Sequence, residues 1–482
     1  MRLAVVRRNL LGLVIAACGA AAVSSFWLSP PRAVPTGDER DYVQAAAHLA
    51  RSGVFSRAPL TIAVPPRDAY REPGYSFLLA AYWRLAQVAL PGVKQSEWAD
   101  FSGAAARGID VLGALLLGAT ALGGGLAARF AGASWPASLA AAVLVVASPA
   151  LRQAALVPGS EGLAAALVTL AGCGLGLAVT RGGGGAIALA GLATGFCPLV
   201  RGAGIALVPA GVLVLLMVPG SVSWRRRATR AAVFACLALA PLAIWMTRNS
   251  RATGHFVLTD RGGVVLWTRA ELDRQIAREG LLPALLAWTP LESARRAGER
   301  IWPEASYSRY QWKGEGNFFT RSLRSWNAAR LSSTDPLAVD LALGRKALGQ
   351  FLRRPGDHWL AAFAVAWRGL FAERSPELIV PVDLTFGLGL LLAGAVVGVF
   401  STAVRSRHVV PLALLAGPVA LFLAHSAATE FLPRFGVPGL PLIWAALMAT
   451  ISQARESKER AKGKIHDPKR PEVRASAGLG EP

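Results

Sequence analysis

Acidic and basic side chains recur in this sequence where long apolar runs begin or end. Asp38, Glu39 and Asp41 stand together shortly after the first run, in Thr-Gly-Asp-Glu-Arg-Asp-Tyr, and Arg71 and Glu72 follow in Tyr-Arg-Glu-Pro-Gly-Tyr. Glu161 closes Pro-Gly-Ser-Glu, Arg201 ends Leu-Val-Arg, and Arg248 lies in Trp-Met-Thr-Arg-Asn. Arg434, with Glu430 nearby, opens Pro-Arg-Phe-Gly-Val-Pro before the last run. These residue types suit two tasks. A carboxylate can take a proton from a reacting hydroxyl, and a planar guanidinium binds phosphate oxygens in pairs.

The elements that must position them are apolar helices. Ten stretches lack charge: residues 9–31, 111–128, 130–151, 162–180, 182–200, 202–224, 231–247, 384–404, 408–429 and 435–454. Each is close to the roughly 20 residues a helix needs to cross about 30 Å of hydrocarbon. Open sheet edges are not viable there, so the reading is helical. The first run follows Arg7 and Arg8 and has the look of a secretory signal, but its length and nine further runs favour a retained anchor.

Arginine placement orients the chain. Arg2, Arg7 and Arg8, the Arg225–Arg227 triplet with Arg230, Arg405 with Arg407, and the Lys/Arg-rich segment from Arg455 all fall on one side of a ten-span chain. The positive-inside rule makes that side the cytoplasm, with both termini in it. Residues 32–110 and 248–383 then lie outside, where long segments translocate largely regardless of charge. Within them, 281–288 and 360–367 read as short helices along the membrane surface, and 75–84 as interfacial because of Arg84. Residues 42–51 read as a helix, and Gly182–Gly185 after Arg181 as a flexible turn. The expected organisation is one transmembrane domain over 1–454 and a basic, disordered cytoplasmic tail over 455–482.

Composition agrees. Of 482 residues, 53% are hydrophobic and 17% charged, against about a quarter charged in a typical soluble protein. The net charge of +22 suits anionic lipid, phosphorylated ligands or nucleic acid. The spans, with no separate soluble basic domain, decide against nucleic acid. Cys18, Cys173, Cys197 and Cys236 lie in apolar runs without metal or redox spacing, so no disulfide framework is implied. The histidines, His48, His255, His358 and His425 among them, lack ligand spacing, and no metal is assigned. Trp302, Trp312 and Trp326 suit an aromatic belt or sugar stacking, the belt being the simpler reading.

Taken in order, the motifs resemble the GT-C membrane glycosyltransferases, in the family-39-like branch of protein mannosyltransferases and the lipid A aminoarabinose transferase. The resemblance rests on Asp38-Glu39-x-x-Tyr42, Arg71-Glu72-Pro73-Gly74-Tyr75, Ser160-Glu161 and Leu199-Val200-Arg201. It continues with Arg248-Asn249, Gly254, Phe256-Val257 and Arg434-Phe435, where the family commonly has Arg-Tyr. It covers roughly residues 9–450, and Ser76 departs from it where relatives often carry a second Pro. The family implies an all-α GT-C fold of about ten transmembrane helices with external juxtamembrane helices, in the inner membrane. It implies transfer of a sugar from a polyprenyl-phosphate donor to a glycan, lipid or protein acceptor outside, with inversion. By that analogy Asp38 is the catalytic carboxylate and Glu161 orients the acceptor or a metal. Arg71, Arg201, Arg248 and Arg434 are candidates for the lipid phosphate. No cofactor is required by the motifs, although some relatives use a divalent ion.

Simpler readings compete. Asp38 and Asp41 could cap the helix that starts near Glu39, and Glu161 could sit at a capped helix start beside Ser160. Arg201, Arg248 and Arg434 could be interfacial anchors. A transporter of an envelope precursor is the alternative function, and a scaffold without catalysis a third. Transporters carry ionisable groups near mid-bilayer. Here the runs are charge-free across their middles and the acidic candidates gather at one face, which favours an enzyme.

Overall fold

The structure, a computed structural model, describes residues 37–89, 103–217, 222–303, 307–310, 316–371, 382–406, 409–429 and 433–461. Among the described residues the chain is helical, with no strand. The expected first span, Glu430, and residues 462–482 of the expected tail lie outside them.

The membrane part is built from α3 (Gly103–Phe130), α4 (Trp135–Ala147), α5 (Pro149–Leu156), α6 (Ser160–Arg181), α7 (Gly184–Val200), α8 (Leu207–Met217), α9 (Trp224–Thr253), α16 (Val382–Ser406), α17 (Val409–Ala428) and α18 (Leu440–Ala461). Among the described residues five helices are long and apolar enough to span: Gly108–Phe130, Ser160–Arg181, Trp224–Thr253, Val409–Ala428 and Gly436–Glu459. The pair α4–α5 makes a sixth if its 57° bend lies within one span. Ser148 causes that bend. It ends α4 in an extended conformation, then accepts from Leu151 N to cap α5, with Pro149 fixing the first turn. Shorter apolar helices, Gly184–Val200, Gly202–Met217 and Gly389–Val404, occupy three further expected positions. The last helix runs past residue 454, with Arg455 paired to Glu459 one turn on at 2.9 Å. The chain is a multi-pass membrane protein.

Lipid gives apolar side chains no reason to cluster, so close backbone approach must hold such helices together. A Cβ on Gly195 of α7 would stand 2.4 Å from the Ala238 carbonyl oxygen of α9. Only glycine permits that contact. The helix ends sort into two layers. At one, the Arg230 guanidinium lies against Gly182, Arg181 stands over the Phe130 ring at 5.9 Å, and Gln453 donates to the Ala131 carbonyl at 2.6 Å. Arg129, Arg181, Arg230 and Arg455 therefore share this layer. At the other are the start of α6 and the ends of α7, α9 and α17.

Over that second layer sit α1 (Asp38–Ser52), α2 (Gly74–Ala89) and a set of external helices. These are α10 (Gly262–Glu279), α11 (Leu282–Trp288), α12 (Glu292–Ile301), α13 (Phe318–Leu331), α14 (Pro336–Arg353) and α15 (Pro355–Gly369). The expected surface segments 281–288 and 360–367 are helical in α11 and α15, and 75–84 lies in α2. Arg84 there donates to the Leu49 carbonyl at 3.0 Å, tying α2 to the last turn of α1.

Buried polar clamps fix the external helices. Arg269, fully buried in α10, donates to Asp273 at 2.7 Å, to the His358 carbonyl at 2.9 Å and to the Ser426 carbonyl at the end of α17. His358 closes the group by pairing with Asp273 at 2.8 Å. Asp340 of α14 accepts from Gly263 N and Val264 N at 2.7 and 2.8 Å, and from Trp326 Nε1 at 2.9 Å. It serves as a remote cap for α10, whose N-terminal amides have no neighbours in sequence to satisfy them.

Candidate functional site

The first external segment supplies two carboxylates. The residue before α1 is Gly37, which makes no side-chain cap. Asp38 and Asp41 turn instead to Arg71. Arg71 Nε donates to Asp41 Oδ2 at 2.8 Å, and Nη2 reaches both Asp41 Oδ2 at 2.8 Å and Asp38 Oδ1. Arg71 is buried while Asp38 is open to solvent, with a side chain 45% exposed. Burial works against the Arg71 charge, but Asp38, Tyr42 and Asp41 outweigh it and hold the guanidinium more firmly charged than usual.

Further cations surround this pair. Arg57 lies 3.6 Å from Asp41 and 3.2 Å from Asp68, and Arg261 lies 4.0 Å from Asp38. All three guanidiniums face the Tyr70 ring, Arg57 at 3.3 Å, Arg261 at 4.8 Å and Arg71 at 5.2 Å from its centre. Arg261 is the N-cap residue of α10, and its Nε is buried without a hydrogen-bond partner among the described residues. Beside it Arg330 pairs with Asp260 at 3.3 Å. Burial pushes the Asp260 carboxyl up, against the pull of Arg330 and Arg57.

A second ion pair lies next to the first. Glu161, at the start of α6, meets Arg201, just past the end of α7, at 3.2 Å with both side chains largely buried. The residue preceding α6, Gly159, makes no side-chain cap. Adjacent residues join the two groups, because Glu72 accepts from Gly202 N at 3.3 Å while Arg71 holds Asp38. Tyr42, fully buried, hydrogen-bonds Ser160, and burial with Glu72 beside it pushes its phenol well up. Gly74 lets this segment sit on α7, since a Cβ there would meet Val200 Cγ2 at 2.6 Å and the Leu199 carbonyl oxygen at 2.9 Å. A small cavity borders Arg201, between Ala164, Leu421, His425 and Pro438.

Arg248 is placed differently. Its Nη1 donates to the Asp68 carbonyl at 2.6 Å and to Asn249 Oδ1 at 2.9 Å, and its guanidinium stands 4.8 Å over Trp245. It buttresses the turn that presents Asp68 to Arg57. Arg434 falls in the 3-10 turn Pro433–Gly439, which packs on α6 and α17, and its side chain is outside the described residues.

Asp38, Arg71, Glu161 and Arg201 are thus brought together, with Arg248 one residue pair away. Sequence reasoning missed Arg57 and Arg261 and set Asp41 aside as a cap. The Asp-Arg-Gly-Gly stretch before α10 was the one local hint of Arg261; Arg57 has none. Among the described residues no three of His, Cys, Asp and Glu form a group that could hold a metal ion. The arrangement can bind an anion beside Asp38 and accept a proton there.

No protein-family model and no curated protein matches the sequence. Two crystal structures of ArnT from Cupriavidus metallidurans, one in the apo state and one bound to undecaprenyl phosphate, are similar at 16% identity and a TM-score of 0.36. They cover 97% and 96% of this chain and 82% of each ArnT chain. The chain is a multi-pass membrane protein, helical with no strand among the described residues, and has a likeness to ArnT along nearly its whole length.

Proposed function

We propose that the chain is a GT-C-type membrane glycosyltransferase. It moves a sugar from a polyprenyl-phosphate donor to an acceptor on the non-cytoplasmic side of the inner membrane. The observation that carries this reading is the Asp38–Arg71–Asp41 group with Arg261 beside it, at the layer opposite the arginine-rich one. That arginine-rich layer is the cytoplasmic one under the positive-inside rule.

The chemistry follows from the charges. An acceptor hydroxyl is a weak nucleophile, and Asp38, exposed and held in place by Arg71, takes its proton as the oxygen closes on the anomeric carbon. The bond from that carbon to the phosphate oxygen breaks, and the polyprenyl phosphate leaves with both electrons. Arg71 and Arg261 stabilise the charge that gathers on it. A single displacement inverts the anomeric centre. Glu161, held by Arg201, orients the acceptor, and Arg201 and Arg434 border the route of the phosphate. Arg248 acts through Asp68, setting the position of Arg57.

The test is to incubate the purified chain in nanodiscs with a panel of polyprenyl-phosphate sugars and follow release of polyprenyl phosphate and labelled sugar. Turnover that disappears in Asp38→Asn supports the reading. Movement of intact donor across the bilayer without cleavage would establish the transporter alternative instead.

A further inference from the structure

α14 and α15 meet in an elbow at Arg353, Arg354 and Pro355, and the outer side of this elbow is apolar. Leu348 and Leu352, one turn apart on α14, are 48% and 83% exposed, and Trp359 and Phe363, one turn apart on α15, are 67% and 58% exposed. Four large apolar side chains are thus exposed on the two arms of the elbow. The residues around it are basic. Arg345, Lys346, Arg353 and Arg354 are exposed against one acid, Asp357, and Lys346 is turned back over the Trp267 ring at 5.0 Å.

The height of the elbow is set by its contacts. The first turn of α15 is tied through Arg269 to the Ser426 carbonyl, in the last turn of α17. Its far end meets α16, where Phe371 and the Leu370 carbonyl lie against Gly389, in the first half of that helix's uncharged run. The first turn of α15 therefore meets α17 at the end of its apolar part, and its far end meets α16 near the start of its uncharged run. A helix so placed lies across the mouth of the bundle at the level where hydrocarbon gives way to headgroups.

We propose that the α14–α15 elbow docks on an anionic bilayer surface, with Leu348, Leu352, Trp359 and Phe363 sunk below the headgroups. Arg345, Arg353 and Arg354 then pair with the anionic headgroups themselves. Apolar residues framed by basic ones are what an interfacial helix uses, the first group supplying burial and the second electrostatic attraction. The docking has a consequence for the site whatever reaction occurs there. α14 also carries Asp340, which caps α10 beside Arg261, so the bilayer surface fixes the height of the helix that presents Arg261 to Asp38.

A spin label on Leu352→Cys tests this, in a chain with Cys18→Ala and Cys236→Ala; Cys173 and Cys197 are buried and stay unlabelled. The chain is placed in nanodiscs of phosphatidylcholine alone or mixed with phosphatidylglycerol. Accessibility is read with oxygen, which partitions into lipid, and with a water-soluble nickel chelate. In phosphatidylglycerol discs the oxygen-to-nickel ratio should be several-fold higher than in phosphatidylcholine discs. Arg345→Gln, Arg353→Gln and Arg354→Gln together should remove that difference. High salt should do the same in the unsubstituted arginine background, which covers the case of a triple variant that does not fold. A label equally open to nickel in both discs, or equally shielded in both, would overturn the proposal.

Discussion

Arg71 and Asp38, 33 residues apart in sequence, are joined directly, and Asp41 accepts from Nε of the same guanidinium at 2.8 Å. One buried cation thus aims an exposed carboxylate at the solvent side of the bundle mouth. A donor phosphate arriving at Arg71 competes with Asp38 for the same hydrogens.

Asp38→Asn keeps the size of the side chain and removes its ability to accept a proton. Transfer should fall by about 10²-fold or more while membrane insertion stays as in the parent chain and thermal stability falls by less than in Arg71→Gln. Full transfer by Asp38→Asn would remove Asp38 from the mechanism.

Arg71→Gln leaves Asp41 beside a neutral group and breaks the fork that holds both carboxylates. A loss of about 2 kcal/mol is expected from the charged hydrogen bonds alone, together with loss of transfer. Thermal unfolding in detergent measures the first and the donor assay the second; a variant unchanged in both would show that Arg71 does not organise the site.

Glu161 and Arg201 can be tested as a pair. In a double-mutant cycle of Glu161→Gln and Arg201→Gln, the two changes should couple by about 1 kcal/mol in stability. Additive losses would mean that the contact at 3.2 Å contributes nothing beyond its separate ends.

Gly74→Ala places a methyl group against Val200 and the Leu199 carbonyl oxygen. Overpacking there should cost about 2 kcal/mol and lift Arg71 and Glu72 away from α7. Activity and unfolding temperature should fall together, and a neutral effect on both would show that the segment is free to move off α7.

Asp260 gives a pH dependence with a defined sign. Burial raises its carboxyl above the ordinary 3.8, so the folded state favours the protonated form. Its contribution to stability is complete below that ordinary value and is lost as pH rises through the raised one. Asp260→Asn should therefore flatten the decline in unfolding temperature as pH rises above the ordinary carboxylate value. Equal slopes for the two chains would place the titration elsewhere.

By itself the sequence determined the helices and the charged residues that stand at their ends. A run of some twenty uncharged residues has one stable form in hydrocarbon, because every backbone amide must find its partner within the segment, and α3, α6, α9 and α17 lie where such runs predict. Motif order also marked Asp38, Arg71, Glu161 and Arg201 as residues of one layer. The tertiary structure alone decided which acid meets which base. Asp41 reads as a cap from its local neighbours, and becomes a partner of Arg71 and Arg57 only once the loop folds back over α1. Arg261 is hinted at only by the Asp-Arg-Gly-Gly stretch around it, and reaches Asp38 because Asp340 and Trp326 fix the start of α10 from helices far along the chain. Helix formation is decided over a few turns of neighbouring residues, whereas an ion pair depends on the path of everything between its members.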